Sequence, residues 1–192
     1  MSHDNTLVER FKTADDTTCE TEAIALGQEG AAGLEKIKQL LAADNADPRF
    51  WAARGLWANG SPGAVTLLID LLNDEEEMVR SGAALALGEL KAEGAVDSLA
   101  NLLITDTSAT GDHAADALGK IGLAAAPALI DALANEDVSV RRRAAKALIS
   151  VESKQAIPAL FKALDDDSYL VRHYAELALE RMGVGQMVYF KV

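Results

Sequence analysis

An internal disulfide is excluded from the start, because the 192-residue chain has one cysteine, Cys19. A lone thiol fits a reducing compartment. Aromatic residues make up only 5% of the chain, which disfavours a sandwich of aromatic-rich strands and leaves the core to aliphatic side chains and alanine. No apolar run reaches about 18 residues, so no membrane span is expected. The start, Met1-Ser2-His3-Asp4, lacks the charged and apolar regions of a secretory leader, and the expected location is cytoplasmic. Positive charge is also scarce: 18 Lys and Arg stand against 30 Asp and Glu, a net −12. Such a field repels nucleic acid and anionic membrane, and neither is expected as a partner. The chain contains no zinc motif, phosphate loop, dinucleotide fingerprint or evident nucleophile–base pair. Catalysis is therefore not the leading expectation.

What is present is periodic. Hydrophobic residues make up 49% and charged residues 25% of the chain, a globular balance. Leu26, Leu56, Leu87, Leu118, Leu148 and Leu179 recur every 30 or 31 residues. The residue before each is Ala25, Gly55, Ala86, Ala117, Ala147 and Ala178. Two further columns share the period: Phe11, Leu41, Leu72, Leu103, Leu133 and Leu164, and then Leu7, Ile37, Leu68, Leu99, Leu129 and Leu160. Three apolar columns with one period mark a repeat architecture.

Each repeat holds two helical patterns. Leu68 and Leu72 stand four residues apart in the first helix. Val79, Ala83, Ala86, Leu87 and Leu90 form the apolar stripe of the second. Small residues let helix backbones approach closely. Ser61-Pro62 and Asp47-Pro48 read as a capping oxygen followed by proline at the first helical position. Pro127 and Pro158 fall in the first turns of first helices. The fold expected is an all-α superhelix, a solenoid of six two-helix repeats at about 4–29, 30–60, 61–91, 92–122, 123–152 and 153–183 in one domain. Residues 184–192 would begin an incomplete seventh repeat. Their apolar run, Met187 to Phe190, either caps the last repeat or docks a partner through Met187–Val192.

Second helices open with Val79-Arg80, Val140-Arg141 and Val171-Arg172, after acidic loops at Asn73 to Glu77, Asn135 to Asp137 and Asp165 to Asp167. Nearly the whole chain thereby resembles the HEAT-like repeats of the phycobilisome lyase type. The resemblance implies a ladder in which a recurrent arginine pairs with a loop aspartate of the neighbouring repeat. It assigns Arg49, Arg80, Arg141 and Arg172 to that ladder. Cys19 and Gly111 occupy the arginine column in the first and fourth repeats, so the ladder is expected to break there.

Function should lie where the repeats differ on a shared face. In solenoids of this type the second helices line the concave surface. The positions just after the arginine column give, in order, Glu20, Thr21 and Ile24; Phe50, Trp51 and Arg54; Ser81, Gly82 and Leu85; Asp112, His113 and Asp116; Arg142, Arg143 and Lys146; His173, Tyr174 and Leu177. Trp57 joins the stripe of Phe50. The expected groove thus has an aromatic wall, room at Gly82, carboxylates around a histidine, three cations, and a second histidine. At about 8–10 Å per neighbour, the aromatic wall would lie roughly 25–30 Å from the cations, a span suited to a peptide or protein surface. Arg142, Arg143 and Lys146 are candidates for carboxylate or phosphate recognition. Asp112 and Asp116 also suit the positive end of a helix dipole. His113 and Asp116 share a face, but the adjoining Gly82 and Arg143 offer no further metal ligand, so no metal is expected. Thr105 to Asp112 lacks the usual Val-Arg start and holds several capping hydroxyls. Cys19 has no nearby histidine in sequence and reads as structural.

The leading expectation is a scaffold that binds another protein or peptide in this groove, without a cofactor. The resemblance supplies an alternative: a subunit of an E/F-type bilin lyase, or a phycobilisome-handling protein, that binds a linear tetrapyrrole. Arg142, Arg143 and Lys146 would then meet the propionates, Asp112 or Asp116 the pyrrole N–H groups, and Trp51 or Tyr174 the ring faces. Two enzymatic HEAT families fit poorly. Deoxyhypusine hydroxylases bind iron through repeated His-Glu pairs, which this chain lacks, and HEAT-like DNA glycosylases use a strongly basic groove.

Overall fold

A computed structural model describes the chain over residues 5–184. The apolar segment Met187–Val192, read above as a cap or docking tail, lies outside the described residues. Every regular element among the described residues is helical, as the three apolar columns require. The chain falls into two compact units that meet at Leu90 and Lys91.

Unit 1 holds α1 (Asn5–Thr13), α2 (Asp16–Gln28), α3 (Ala31–Leu41), α4 (Ala46–Asn59), α5 (Pro62–Leu71) and α6 (Glu77–Glu89). Here α3 packs on α4 and α5 on α6, while α1 lies against α3 and α4. The second helices form one layer, with α2 packed on α4 and α4 on α6. Unit 2 repeats the plan with α7 (Val96–Thr105), α8 (Ala109–Ile121), α9 (Ala126–Leu133), α10 (Val138–Val151), α11 (Ile157–Ala163) and α12 (Tyr169–Arg181). Its layer is α8 on α10 on α12. Each first helix of unit 2 is entered through a single 3-10 turn, at Glu93–Ala95, Leu123–Ala125 and Lys154–Ala156.

The Leu26 column is buried at all six positions, between 0% and 5% exposed. Along it run alanines, including Ala53, Ala83, Ala84, Ala114, Ala144 and Ala175, each at most 1% exposed. This is how an aromatic-poor chain makes a dense interior: small side chains draw helix backbones together, and leucines fill what remains. One close approach in unit 1, between α2 and α4, is at Gly27. A Cβ there would fall on the Gly55 carbonyl and lie 2.9 Å from the Asn59 backbone nitrogen. Asn59 fastens the same crossing by donating from Nδ2 to the carbonyls of Gly27 and Gly30, both at 3.0 Å.

The capping expectations hold in part. Ser61 caps α5 through Oγ and is followed by Pro62. Asp47 does not cap α4: Asn45 accepts from the Asp47 N–H at 2.7 Å, so Pro48 is the third helical residue. Either placement costs no backbone hydrogen bond, because the first-turn N–H groups have no intrahelical partner. In the irregular fourth repeat Ser108 caps α8, accepting from the Thr110 N–H.

Candidate functional site

The arginine column makes the predicted ladder in both units. Arg49 donates from Nε and Nη2 to Asp74 at 2.8 and 2.9 Å, and from Nη1 to the carbonyls of Ala43 and Asp44. Arg141 pairs with Asp166 at 2.7 and 3.2 Å and donates to the carbonyls of Asn135 and Glu136. Arg80 and Arg172 likewise donate to their own preceding loops, at Asp74 and Glu75 and at Asp166 and Asp167. One guanidinium thus closes the loop of its own repeat and, at Arg49 and Arg141, clasps the next one.

These pairs bias the aspartates. Burial alone would push the Asp74 carboxyl up. The hydrogen bonds from Arg49 and the Glu76 N–H, with the charges of Arg49 and Arg80, reverse this and hold it below its ordinary value. Asp166 is held down chiefly by its hydrogen bonds from Arg141, against opposing burial. A depressed folded-state value gives stability that is complete above the unfolded pKa of roughly 3.9 and is lost as pH falls through the folded value. Stability against urea, followed by circular dichroism, should therefore hold down to pH 5 and begin to fall below about pH 4, continuing to fall as pH passes the folded-state values. Asp74→Asn should weaken that acid dependence and lower stability at neutral pH.

The ladder departs from expectation in the fourth repeat. At Gly111 the arginine is missing, but the loop is not left open. Arg143, from the next repeat, turns away from solvent and is 4% exposed. Its Nη1 donates to the carbonyls of Leu103 at 3.2 Å and Asp106 at 2.8 Å, and its Nη2 to that of Ser108 at 2.9 Å. The guanidinium occupies the space that a side chain at position 111 would need. The reading of Arg143 as a groove cation is corrected accordingly: it closes a neighbour's loop. In the first repeat the column does break. The Cys19 sulfur sits 3.9 Å from the carbonyls of Phe11 and Ala14. Burial, followed by the charges of Asp15, Asp16 and Asp47, pushes its thiol pKa up. A thiol-specific reagent at neutral pH should react slowly with the native protein and rapidly once urea unfolds it.

The other cations of unit 2 are also engaged. Arg142 holds Asp112 at 2.8 and 3.2 Å, and Lys146 holds Asp116 at 2.9 Å. Each pair joins α8 to α10 across one repeat period. Both pairs are partly exposed, so each contributes at most about 1 kcal/mol. His113, beside Asp112, has a buried Nδ1 without a hydrogen-bond partner in the structure. On α12, His173 stacks on Tyr169 with centroids 5.9 Å apart and leans on Tyr174 at 5.7 Å. Among the described residues no group of three or more His, Cys, Asp or Glu side chains could hold a metal ion. No helix among them is long and apolar enough to cross a membrane.

Unit 1 offers an open site. Phe50, Trp51, Arg54 and Trp57 come together on α4 and line a cleft of about 380 Å³, whose other walls are Glu20 of α2 and Gly82, Leu85, Ala86 and Glu89 of α6. The Phe50 and Trp51 rings meet edge to face with centroids 4.9 Å apart. Gly82 keeps the cleft open: a Cβ there would press on the Phe50 ring at 3.3 Å. Leu85, which lines the same cleft, is 40% exposed. Arg54 crosses the cleft, its guanidinium carbon 4.4 Å from the Trp57 ring centroid and its Nη2 2.8 Å from Glu20. Glu89 was not singled out in sequence. It stands seven residues after Gly82 on the same helix face, and extending the stripe by two turns would have found it.

The pattern of the family described as HEAT repeats matches residues 34–119 and 109–180. Among solved structures, the archaeal HEAT-like repeats protein from Thermococcus onnurineus NA1 is similar, with a TM-score of 0.61 and 16% identity over 95% of this chain and 81% of that one. The complex of CpcE and CpcF of phycocyanin lyase from Nostoc sp. PCC7120 is similar with a TM-score of 0.54 and 23% identity, covering 95% of this chain and 78% of that one. A designed armadillo repeat protein in complex with the peptide (KR)4 gives 0.54 and 18%, covering 94% and 100%. No curated protein matches. At these identities the likeness to solved structures concerns the fold. The two matched stretches span most of the chain, and with the repeat period, the paired helices and the arginine–aspartate ladder they make it a member of the HEAT-repeat family.

Proposed function

We propose that this protein is a peptide- or protein-binding scaffold and that the cleft of unit 1 is its docking site. The observation that carries the reading is the gathering of Phe50, Trp51 and Trp57, with both tryptophans of the chain, around one open cleft. Water-exposed aromatic surface in a concave site favours a partner that covers it, and tryptophan and arginine are the commonest anchors of interfaces. The designed armadillo repeat protein in complex with the peptide (KR)4 supports the idea that a stack of this kind accepts a peptide. The test is affinity for a peptide selected on the folded chain. Trp51→Ala should weaken binding at least tenfold, about 1.4 kcal/mol, with unchanged helicity. Unaltered affinity in both Trp51→Ala and Trp57→Ala would place the site elsewhere.

The likeness to CpcE and CpcF gives a second reading, a bilin-binding lyase subunit. It needs cations for two propionates. Arg143 is buried, while Arg142 and Lys146 already hold Asp112 and Asp116, so a bilin would have to displace both carboxylates. Titration with a linear tetrapyrrole, followed by absorbance, separates the readings. Saturable binding lost in Arg142→Gln/Lys146→Gln would favour the lyase subunit.

A further inference from the structure

We infer that the cleft of unit 1 takes a segment in which an apolar side chain is followed within a few residues by an arginine or lysine. This rests on the cleft being the docking site and adds the chemistry of what docks. The cleft is graded along its length. Phe50 and Trp57 stand seven residues apart on α4, about 10 Å at 1.5 Å per residue. At the Phe50 end the facing wall is Gly82 and Leu85, which carry no polar side-chain atom. At the Trp57 end the lining adds Glu89, two turns further along α6, and Arg54 reaches across to Glu20. An extended peptide covers about 10 Å in roughly three residues, which sets the separation of its two anchors.

The structure already shows what the second end accepts. Arg54 lies over the Trp57 ring and pairs with Glu20, so one guanidinium uses both an aromatic face and a carboxylate there. Both members of that pair are over 40% exposed, and such a pair is worth little enough to exchange. A cation brought by a partner, exchanging with Arg54, meets the same chemistry: the ring face of Trp57 and the carboxylate of Glu20, in a lining to which Glu89 adds negative charge. The surroundings favour it too. Unit 1, up to Leu90, carries 16 acidic against 7 basic residues, a net −9 of the chain's −12. An acidic segment would enter that field against repulsion, whereas a basic one is steered in.

The experiment selects random dodecapeptides displayed on phage against the full chain, with Trp51→Ala as the counter-screen. Binding of the enriched peptides, carrying a fluorescent label, is then titrated by fluorescence anisotropy, which also reads variants that lack both tryptophans of the chain. Enrichment of an apolar residue followed by Arg or Lys is expected. Exchanging that cation for Gln should weaken binding at least tenfold at low salt and by less at 0.5 M salt. In Glu20→Gln/Glu89→Gln, which alters only partly or fully exposed side chains, the penalty for the exchange should shrink towards nothing. Enriched peptides that are neutral or acidic, or a cation exchange without effect, overturn the inference and leave the docking site standing. Peptides that bind wild type and the Trp51→Ala/Trp57→Ala variant equally well, or no enrichment at all, overturn both.

Discussion

Arg143→Ala should lower the free energy of unfolding by about 3 kcal/mol, the cost of leaving buried acceptors without their charged donor. Three carbonyls, one from the last turn of α7 and two from the α7–α8 connection, converge on this side chain. With the guanidinium gone, they would face a void that is too closely walled to solvate them well. The adjacent Arg142→Ala serves as the control, because Arg142 is partly exposed and loses only its pairing with Asp112; a change under about 1 kcal/mol is expected. Urea midpoints read by circular dichroism would decide between the two. Equal losses would mean that Arg143 does not close the loop. Gly111→Ala approaches the same device from the other side. Its methyl group would sit 2.6 Å from the Asp106 carbonyl and intrude on the guanidinium. Combined with Arg143→Ala it should cost less than the sum of the two, since half of the collision has already been removed.

Gly27→Val should be at least as damaging, by about 3 kcal/mol or more. The helices α2 and α4 touch through backbone at this point, so the new Cβ would collide with the Gly55 carbonyl and lie 2.7 Å from the Ala58 Cβ. Neither neighbour can rotate away, because both belong to the body of a packed helix. The crossing must widen, which would pull Asn59 from the carbonyls of Gly27 and Gly30. Gly94→Ala is the matched control, since nothing lies within 4 Å of its added methyl group. A melting temperature for Gly27→Val within a degree of the Gly94→Ala value would show that the two helices have room to spare.

The architecture was legible because a solenoid writes its core as a period. The Leu26, Leu56, Leu87, Leu118, Leu148 and Leu179 column needed no knowledge of tertiary structure to be assigned inward, and all six are buried. The aromatic site was legible for a related reason. Phe50, Trp51 and Trp57 stand at positions where most of the other repeats carry small or polar residues, and they lie on one side of α4. What failed is the direction taken by long side chains. Arg141, Arg142 and Arg143 look alike in sequence, yet one clasps Asp166, one meets Asp112 across the layer, and one folds back into a neighbouring loop. Sequence spacing fixes where a Cα sits on a helix, but an arginine side chain reaches several ångströms beyond it, in a direction chosen by the acceptors around it. Two clues were present. Gly111 left a vacancy in the arginine column, and three arginines in succession supplied more than the column needed. Arg142 and Asp112, like Lys146 and Asp116, also stand 30 residues apart with opposite charge, so the period itself marked them as facing pairs.

Arg143 also limits how this gene can change in length. Arrays of similar repeats gain and lose whole units by unequal exchange, and a loss is tolerated when each unit carries its own parts. Here the fourth repeat has lent its arginine position to the fifth, through the paired choice of Gly111 and Arg143. Deleting the fifth repeat would bring an ordinary neighbour against a loop that no longer contains its own clasp. Inserting a copy between them would separate donor from acceptor by one full stacking distance. Separating the two repeats would therefore cost the stability that the Arg143 clasp supplies, a cost absent at a boundary where each repeat carries its own arginine.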